Sequence, residues 1–256
     1  MSKKFSNKVV AITGAGRGIG QGIAVHLAAH GAQVAAIDLD LDSLADTVKH
    51  VGEAGSLARA YRCDITDEAA VEATFASIAE DFGRIDCLVN NAGIFQDGLL
   101  VKEKDGKVVK KMSASVFDKV LDVCLKGAFL CAREGAGHMI ERNGDGGVIV
   151  NISSGAFRGN YGQTNYSAAK AGLVAMSRVW AKELGRYNIR SMILAPGAVE
   201  TDLLRSMPAD ALDAMTRQVP LRRIGRIENI AQAVAHIIEN DYLTGSIVEV
   251  NGGMVV

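Results

Sequence analysis

Residues 13–20 read T-G-A-G-R-G-I-G, directly between an apolar run, Val9-Val10-Ala11-Ile12, and a helix-length stretch from Ile19 to His30. A strand, a glycine turn and a helix in that order leave few folds open. The chain reverses sharply at the strand's end, and the first N–H groups of the helix point at whatever sits above the turn. Gly14 permits the tight turn, while Gly18 and Gly20 let backbone approach a ligand closely; a nucleotide diphosphate is the natural occupant. The spacing is T-G-x-x-x-G-x-G rather than G-x-G-x-x-G, so the next strand must carry part of the argument.

That strand is Val34-Ala35-Ala36-Ile37, which ends in Asp38, 18 residues beyond Gly20. A carboxylate there can accept hydrogen bonds from adenosine ribose hydroxyls and repels a 2′-phosphate, which points to NAD. NADP would need a basic neighbour, and Arg17 in the glycine turn is the one the sequence offers.

Further apolar runs at 57–61, 87–89, 148–152, 190–194 and 246–250 alternate with helix-length amphipathic segments. This pattern implies an α/β fold, one doubly wound Rossmann-type domain over residues 1–256 with a mostly parallel seven-stranded sheet flanked by helices. Two stretches break the alternation. Val101 to Lys111 places Asp105-Gly106 between strand-like arms, which predicts a hairpin insertion rich in lysine, either a basic flap over a substrate mouth or a solvated surface element. Residues 201–225 carry Leu203, Leu204, Met207, Leu212 and Met215 at roughly helical spacing, which reads as a substrate lid, with a plain surface helix as the alternative.

A net charge of −1 gives no general attraction to nucleic acid, and no signal core or 18-residue apolar span is present. The expectation is a cytoplasmic protein that acts on small molecules, with no nucleic-acid or membrane partner. Cys63, Cys87, Cys124 and Cys131 show no C-x-x-C pairing and fit reduced thiols. His26 and His30 stand at i and i+4 but lack a third ligand, so no metal site is expected.

N-Y-S-A-A-K places Tyr166 and Lys170 four residues apart, on one face of a helix, with Ser153 and Ser154 upstream. A phenol, an ammonium and a hydroxyl can surround one carbonyl, and a cation beside the phenol favours its ionised form and makes it a usable acid and base.

Together with Asp64 in C-D-I-T, Asn90-Asn91-Ala92-Gly93, Pro196-Gly197 and the ending T-G-S-I-V-E-V-N-G-G, these motifs resemble the short-chain dehydrogenase/reductase family over essentially the whole chain. Q-T-N-Y-S-A-A-K-A-G is particularly similar to its 3-oxoacyl thioester reductase branch. The resemblance implies that Gly14, Arg17, Gly18, Ile19, Gly20 and Asp38 hold the nucleotide, Asp64 and Ile65 contact adenine, and Asn91, Ala92 and Gly93 flank the cofactor. It makes Tyr166 the acid and base, has Lys170 hold the nicotinamide ribose, and brackets the nicotinamide amide with Pro196, Gly197, Val199 and Thr201. It also implies a 3-hydroxyacyl/3-oxoacyl substrate on coenzyme A or an acyl carrier protein, and a homotetramer. Polyol, sugar or steroid alcohols and a non-catalytic NAD sensor are the other readings. Two departures stand out. Cys124 occupies a position where the family usually has asparagine, and a thiol holds a relay water weakly. Ser153 lies 13 residues before Tyr166, the usual spacing, and Ser154 lies 12 before; strand alignment favours Ser154 as the catalytic serine.

Overall fold

A computed structural model describes residues 3–254, without the side chains of Arg142, Asn143 and Leu203. The first half runs β1 (Val9–Thr13), α1 (Gly18–Ala29), β2 (Gln33–Asp38), α2 (Leu44–Glu53), β3 (Ala58–Arg62), α3 (Glu68–Phe82) and β4 (Cys87–Asn90). A hairpin of β5 (Val101–Lys104) and β6 (Lys107–Lys111) precedes α4 (Ala114–Leu121), a π-helical turn at Asp122–Lys126 and α5 (Gly127–His138). Then come β7 (Gly147–Ile152), α6 (Thr164–Leu184), β8 (Ile189–Pro196), the short α7 (Asp202–Arg205), α8 (Ala209–Gln218), α9 (Ile227–Glu239) and β9 (Ile247–Val250).

Seven strands form one Rossmann-type sheet in the order β3-β2-β1-β4-β7-β8-β9, and every pairing in it is parallel. Parallel strands covered on both faces have no polar side, which is why they read as unbroken apolar runs. Alternation then divides the inner strands between two cores. In β1, Val10 and Ile12 pack with Ile23, Leu27, Ile230 and Val234 beneath α1 and α9. Ala11 faces the other way, into Phe75, Ile78, Leu88 and Leu130 beneath α3 and α5. Burying each large aliphatic chain is worth about 1.5–3 kcal/mol, so a one-residue slip in register would cost many such terms. The strand order reverses between β1 and β4, and ligands of open α/β sheets sit at that reversal, beyond the carboxyl ends of the strands.

The hairpin stands apart from the large sheet. Asp105 (φ 53°) and Gly106 (φ 73°) both adopt positive φ, the type I′ geometry that matches strand twist, and every residue of β5 and β6 is exposed. The lid region is two helices rather than one, divided at Met207-Pro208.

Candidate active site

The glycine turn is held from the sheet side. Asn91 Nδ2 donates to the carbonyls of Thr13 and Gly14, both at 3.0 Å, while Thr13 Oγ1 accepts from the N–H groups of Asn91 (3.0 Å) and Ala92 (3.1 Å). Gly14 has φ +64°, and a Cβ there would stand 2.9 Å from Ala92 Cα. A Cβ on Gly20 would collide with the Gly14 carbonyl oxygen. Both positions therefore admit glycine alone, for conformation at one and for close approach at the other.

Asp38 closes the turn at the end of β2. Its carboxylate accepts from Gly16 N (3.0 Å) and Leu39 N (2.8 Å). Arg17 is exposed at the N-cap of α1, and Ile19 lines the cavity beyond it. The sequence offered Arg17 as the only basic neighbour of Asp38; cross-strand register adds Arg62, which pairs with Asp38 and donates from Nε to Leu39 O at 3.3 Å. Asp64 is exposed, its Oδ1 accepting from Thr66 N (2.9 Å), and Ile65 is buried against Gly127. The narrow glycine cradle, the α1 N-terminus above it and a ribose-type acceptor at Asp38 fit a dinucleotide.

A cavity of about 630 Å³ opens beside this cradle, lined among others by Asn91, Gly93, Ser154, Tyr166, Lys170, Pro196, Gly197, Val199 and Thr201. Gly14, Arg17, Gly18, Gly20, Asp38, Asp64, Ile65 and Ala92 lie outside that lining. Tyr166 and Lys170 share the buried face of α6 with Ala169, Leu173 and Val174, so helical spacing and packing place them together. Lys170 Nζ donates to Ile152 O at 2.7 Å and stands 5.4 Å from the centre of the Tyr166 ring.

Helical spacing alone leads one to expect a phenol pKa lowered by Lys170. Burial outweighs that: it pushes the Tyr166 phenol above its ordinary range, with Cys124 and Asp97 adding to the rise. Burial likewise pushes Lys170 below the usual lysine value. The paired serines separate clearly. Ser153 Oγ is buried and donates to the Lys170 carbonyl at 3.2 Å, whereas Ser154 Oγ accepts from Ala156 N at 3.2 Å and acts on the Tyr166 phenol, opposing the rise in its pKa.

Cys124 sits on the π-helical turn. Its thiol accepts from Ile94 N (3.4 Å) and donates to Ile94 O (3.5 Å), so it ties that turn to the segment after β4. On the lid, the cavity-facing residues are Leu204 on α7 and Ala211, Ala214, Met215 and Gln218 on α8. Of the apolar residues that the sequence places in this segment, Leu204 and Met215 line the cavity and Met207 and Leu212 do not; the Leu203 side chain lies outside the described residues. No hairpin residue lines the cavity. Phe95, Arg62 and Met254 escaped the sequence reading altogether; each reaches the site through tertiary proximity that no local motif signals. Among the described residues no group of three His, Cys, Asp or Glu is placed to hold a metal ion, and no helix is long and apolar enough to cross a membrane.

Residues 14–255 match the family described as Enoyl-(Acyl carrier protein) reductase. The 3-oxoacyl-[acyl-carrier-protein] reductase FabG of Thermotoga maritima is 37% identical, over 99% of this chain and 100% of that protein. A (3R)-3-hydroxyacyl-CoA dehydrogenase of Homo sapiens is 36% identical, over 99% and 98% respectively. Among solved structures, 7 alpha-hydroxysteroid dehydrogenase complexed with NADH and 7-oxo glycochenodeoxycholic acid superposes with a TM-score of 0.90 at 32% identity, covering 99% of this chain and 96% of that one.

Proposed function

The chain belongs to the short-chain dehydrogenase/reductase family, an oxidoreductase that works with a nicotinamide cofactor on a small molecule, and on that premise we propose the following chemistry. It interconverts a secondary alcohol and a ketone on a 3-hydroxyacyl/3-oxoacyl thioester, using NAD in preference to NADP. The observation that carries the reading is the buried Tyr166 phenol in the wall of one cavity with Ser154, with Lys170 beneath its ring.

When bound, the nicotinamide supplies or accepts the hydride. The protein's own residues handle the proton and the geometry. Ser154 holds the substrate oxygen beside Tyr166, and the phenol gives its proton to that oxygen in reduction and takes it back in oxidation. A phenol raised by burial stays protonated at neutral pH, which suits the reductive direction. Lys170, anchored on the Ile152 carbonyl, would hold the nicotinamide ribose. Gly14, Gly18 and Gly20 would admit the diphosphate. Asp38 would take the ribose hydroxyls and Asp64 with Ile65 would meet the adenine. Asn91, Ala92, Gly93, Pro196, Gly197, Val199 and Thr201 would flank the nicotinamide end. Arg17 would lie over the phosphates.

The thioester reading is supported by the two relatives named above and by the hairpin, where Lys102, Lys104, Lys107, Lys110 and Lys111 stand against Glu103 and Asp105. A single domain, a cytoplasmic location and a homotetramer belong to the same proposal; light scattering checks the last. Steady-state oxidation of NADH and NADPH against acetoacetyl-coenzyme A, a polyol-derived ketone and a steroid ketone tests the whole reading. We expect the thioester with NADH to give the highest kcat/KM, and Ser154→Ala to lower kcat more than Ser153→Ala. A steroid or sugar ketone turned over faster than the thioester would replace the substrate assignment.

A further inference from the structure

Among the described residues that line the cavity, Phe95 is the only large apolar side chain that is counted as exposed, at 51%. Its ring nevertheless lies against Tyr166, with centroids 4.5 Å apart and planes at 35°, while Tyr166 itself is 6% exposed. A half-exposed phenyl on a loop ordinarily swings freely. Here its backbone is held on both sides. Before it, Ile94 exchanges hydrogen bonds with the Cys124 thiol; after it, Asn165 Nδ2 donates to Gln96 O at 3.0 Å and Gly98 N donates to Gly162 O at 2.8 Å. Asn165 is fully buried, and its Oδ1 also accepts from Tyr166 N at 2.8 Å, so one side chain fixes the Phe95 segment and the Tyr166 backbone together.

The ring has two faces with different neighbours. One covers Tyr166. The exposed part belongs to a cavity whose other apolar walls include Leu204, Met215 and Met254. Holding an apolar ring half in solvent costs water contact, and a site gains from it only when something apolar covers the ring. We propose that Phe95 is a specificity-determining and positioning residue: one face keeps water off the Tyr166 phenol, and the other packs the apolar group that flanks the substrate carbonyl. This rests on the reading of Tyr166 as the proton carrier. It also gives Cys124 a task that its place in the sequence does not reveal, which is to hold Phe95 against Tyr166 through Ile94.

The test compares Phe95→Ala, Phe95→Leu and Phe95→Tyr with wild type on two ketones that differ only in apolar flank, ethyl acetoacetate and ethyl 3-oxohexanoate. We expect Phe95→Ala to reduce the preference for the longer flank by about tenfold, the scale of a few lost methylene contacts, and Leu and Tyr to keep most of it. The pH profile supplies a readout that a structural role would not move. Uncovering the phenol lets water stabilise its charged form, so the high-pH limb of ketone reduction moves to lower pH in Phe95→Ala and stays in place in Phe95→Tyr. The other groups around the phenol, Cys124, Asp97, Ser154 and Lys170, are the same in every variant. Unchanged chain preference and an unchanged limb in Phe95→Ala, with turnover intact, would overturn the proposal. Absence of wild-type turnover on both ketones and on acetoacetyl-coenzyme A would instead remove the reading of Tyr166, and this proposal with it.

Discussion

On the nucleotide side of the cavity, Asn91 and Thr13 stitch the glycine turn to β4 through four hydrogen bonds, and two glycines have no room for a Cβ. On the substrate side, α8 has no buried residue and the hairpin is exposed throughout. The first region is over-determined by the sheet that carries it. The second is attached by a few backbone bonds, such as Glu200 N to Gly225 O at 2.8 Å and Leu221 N to Gly252 O at 3.1 Å. Elements with few buried contacts open at low cost, and they are also where sequence can change without disturbing the fold. On the proposed function, cofactor handling is built into the scaffold and substrate choice is added at its edge.

The comparison would break most visibly at the glycines. Gly20→Val should abolish measurable NADH binding by fluorescence titration, because its side chain meets the Gly14 carbonyl and Asn91 in a turn with no slack. Wild-type affinity in a folded Gly20→Val protein would mean that the turn is not the cradle. Next in size is Asp38→Asn, which removes the charge and keeps an acceptor oxygen for only one of Gly16 N and Leu39 N. The ratio of kcat/KM for NADH over NADPH should fall about tenfold or more as repulsion of a 2′-phosphate is relieved, with Arg17 and Arg62 close by. An unmoved ratio would place cofactor choice elsewhere.

Smaller effects are expected on the loosely held side. Exchanging Lys107, Lys110 and Lys111 for glutamate should raise KM for acetoacetyl-coenzyme A severalfold, in a salt-dependent way, and leave KM for ethyl acetoacetate unchanged. Equal KM values for both substrates would make the hairpin a solvated surface element. The smallest expected effect concerns His26, whose pKa is pushed below 6.5 by burial and then by His30, with Glu228 pulling it back. His30, His236, Lys4 and Glu239 line the same groove. A histidine lowered in the fold binds its proton more readily when unfolded, so its stabilising contribution is full above about pH 6.5 and fades as pH falls below it. The loss in Tm between pH 7.5 and 5.5 should be smaller in His26→Gln than in wild type, and an equal loss would show that the groove does not feel the proton.

Much of this was legible in the residues. All seven runs are strands of one parallel sheet; the inner five are buried and read as apolar stretches, while the edge strands β3 and β9 are partly exposed and carry charged residues. Tyr166 and Lys170 were bound to meet because helical spacing is a local property. What escaped depends on distant packing. The direction of the Tyr166 shift follows from how deeply α6 is covered, which the i, i+4 spacing does not contain. Arg62 stands by Asp38 only through the register of β2 with β3. Phe95 reads as an ordinary loop residue until α6 brings Tyr166 beneath it. On α8 the sequence drew attention to Leu212 and Met215; Met215 lines the cavity, and the other lining residues of that helix are Ala211, Ala214 and Gln218.

The account stands on Tyr166 as the group that moves the proton. Its most direct test is single-turnover and steady-state reduction of acetoacetyl-coenzyme A by NADH in wild type and Tyr166→Phe, with NADH affinity measured on the same samples. A phenylalanine keeps the ring against Phe95 and above Lys170 and deletes only the hydroxyl. We expect kcat to fall by roughly 10²–10⁴-fold, the range for a positioned general acid, with NADH affinity within about threefold of wild type. A variant that retains activity within about tenfold while binding NADH normally would contradict the account, and the proton would have to come from another group in the cavity.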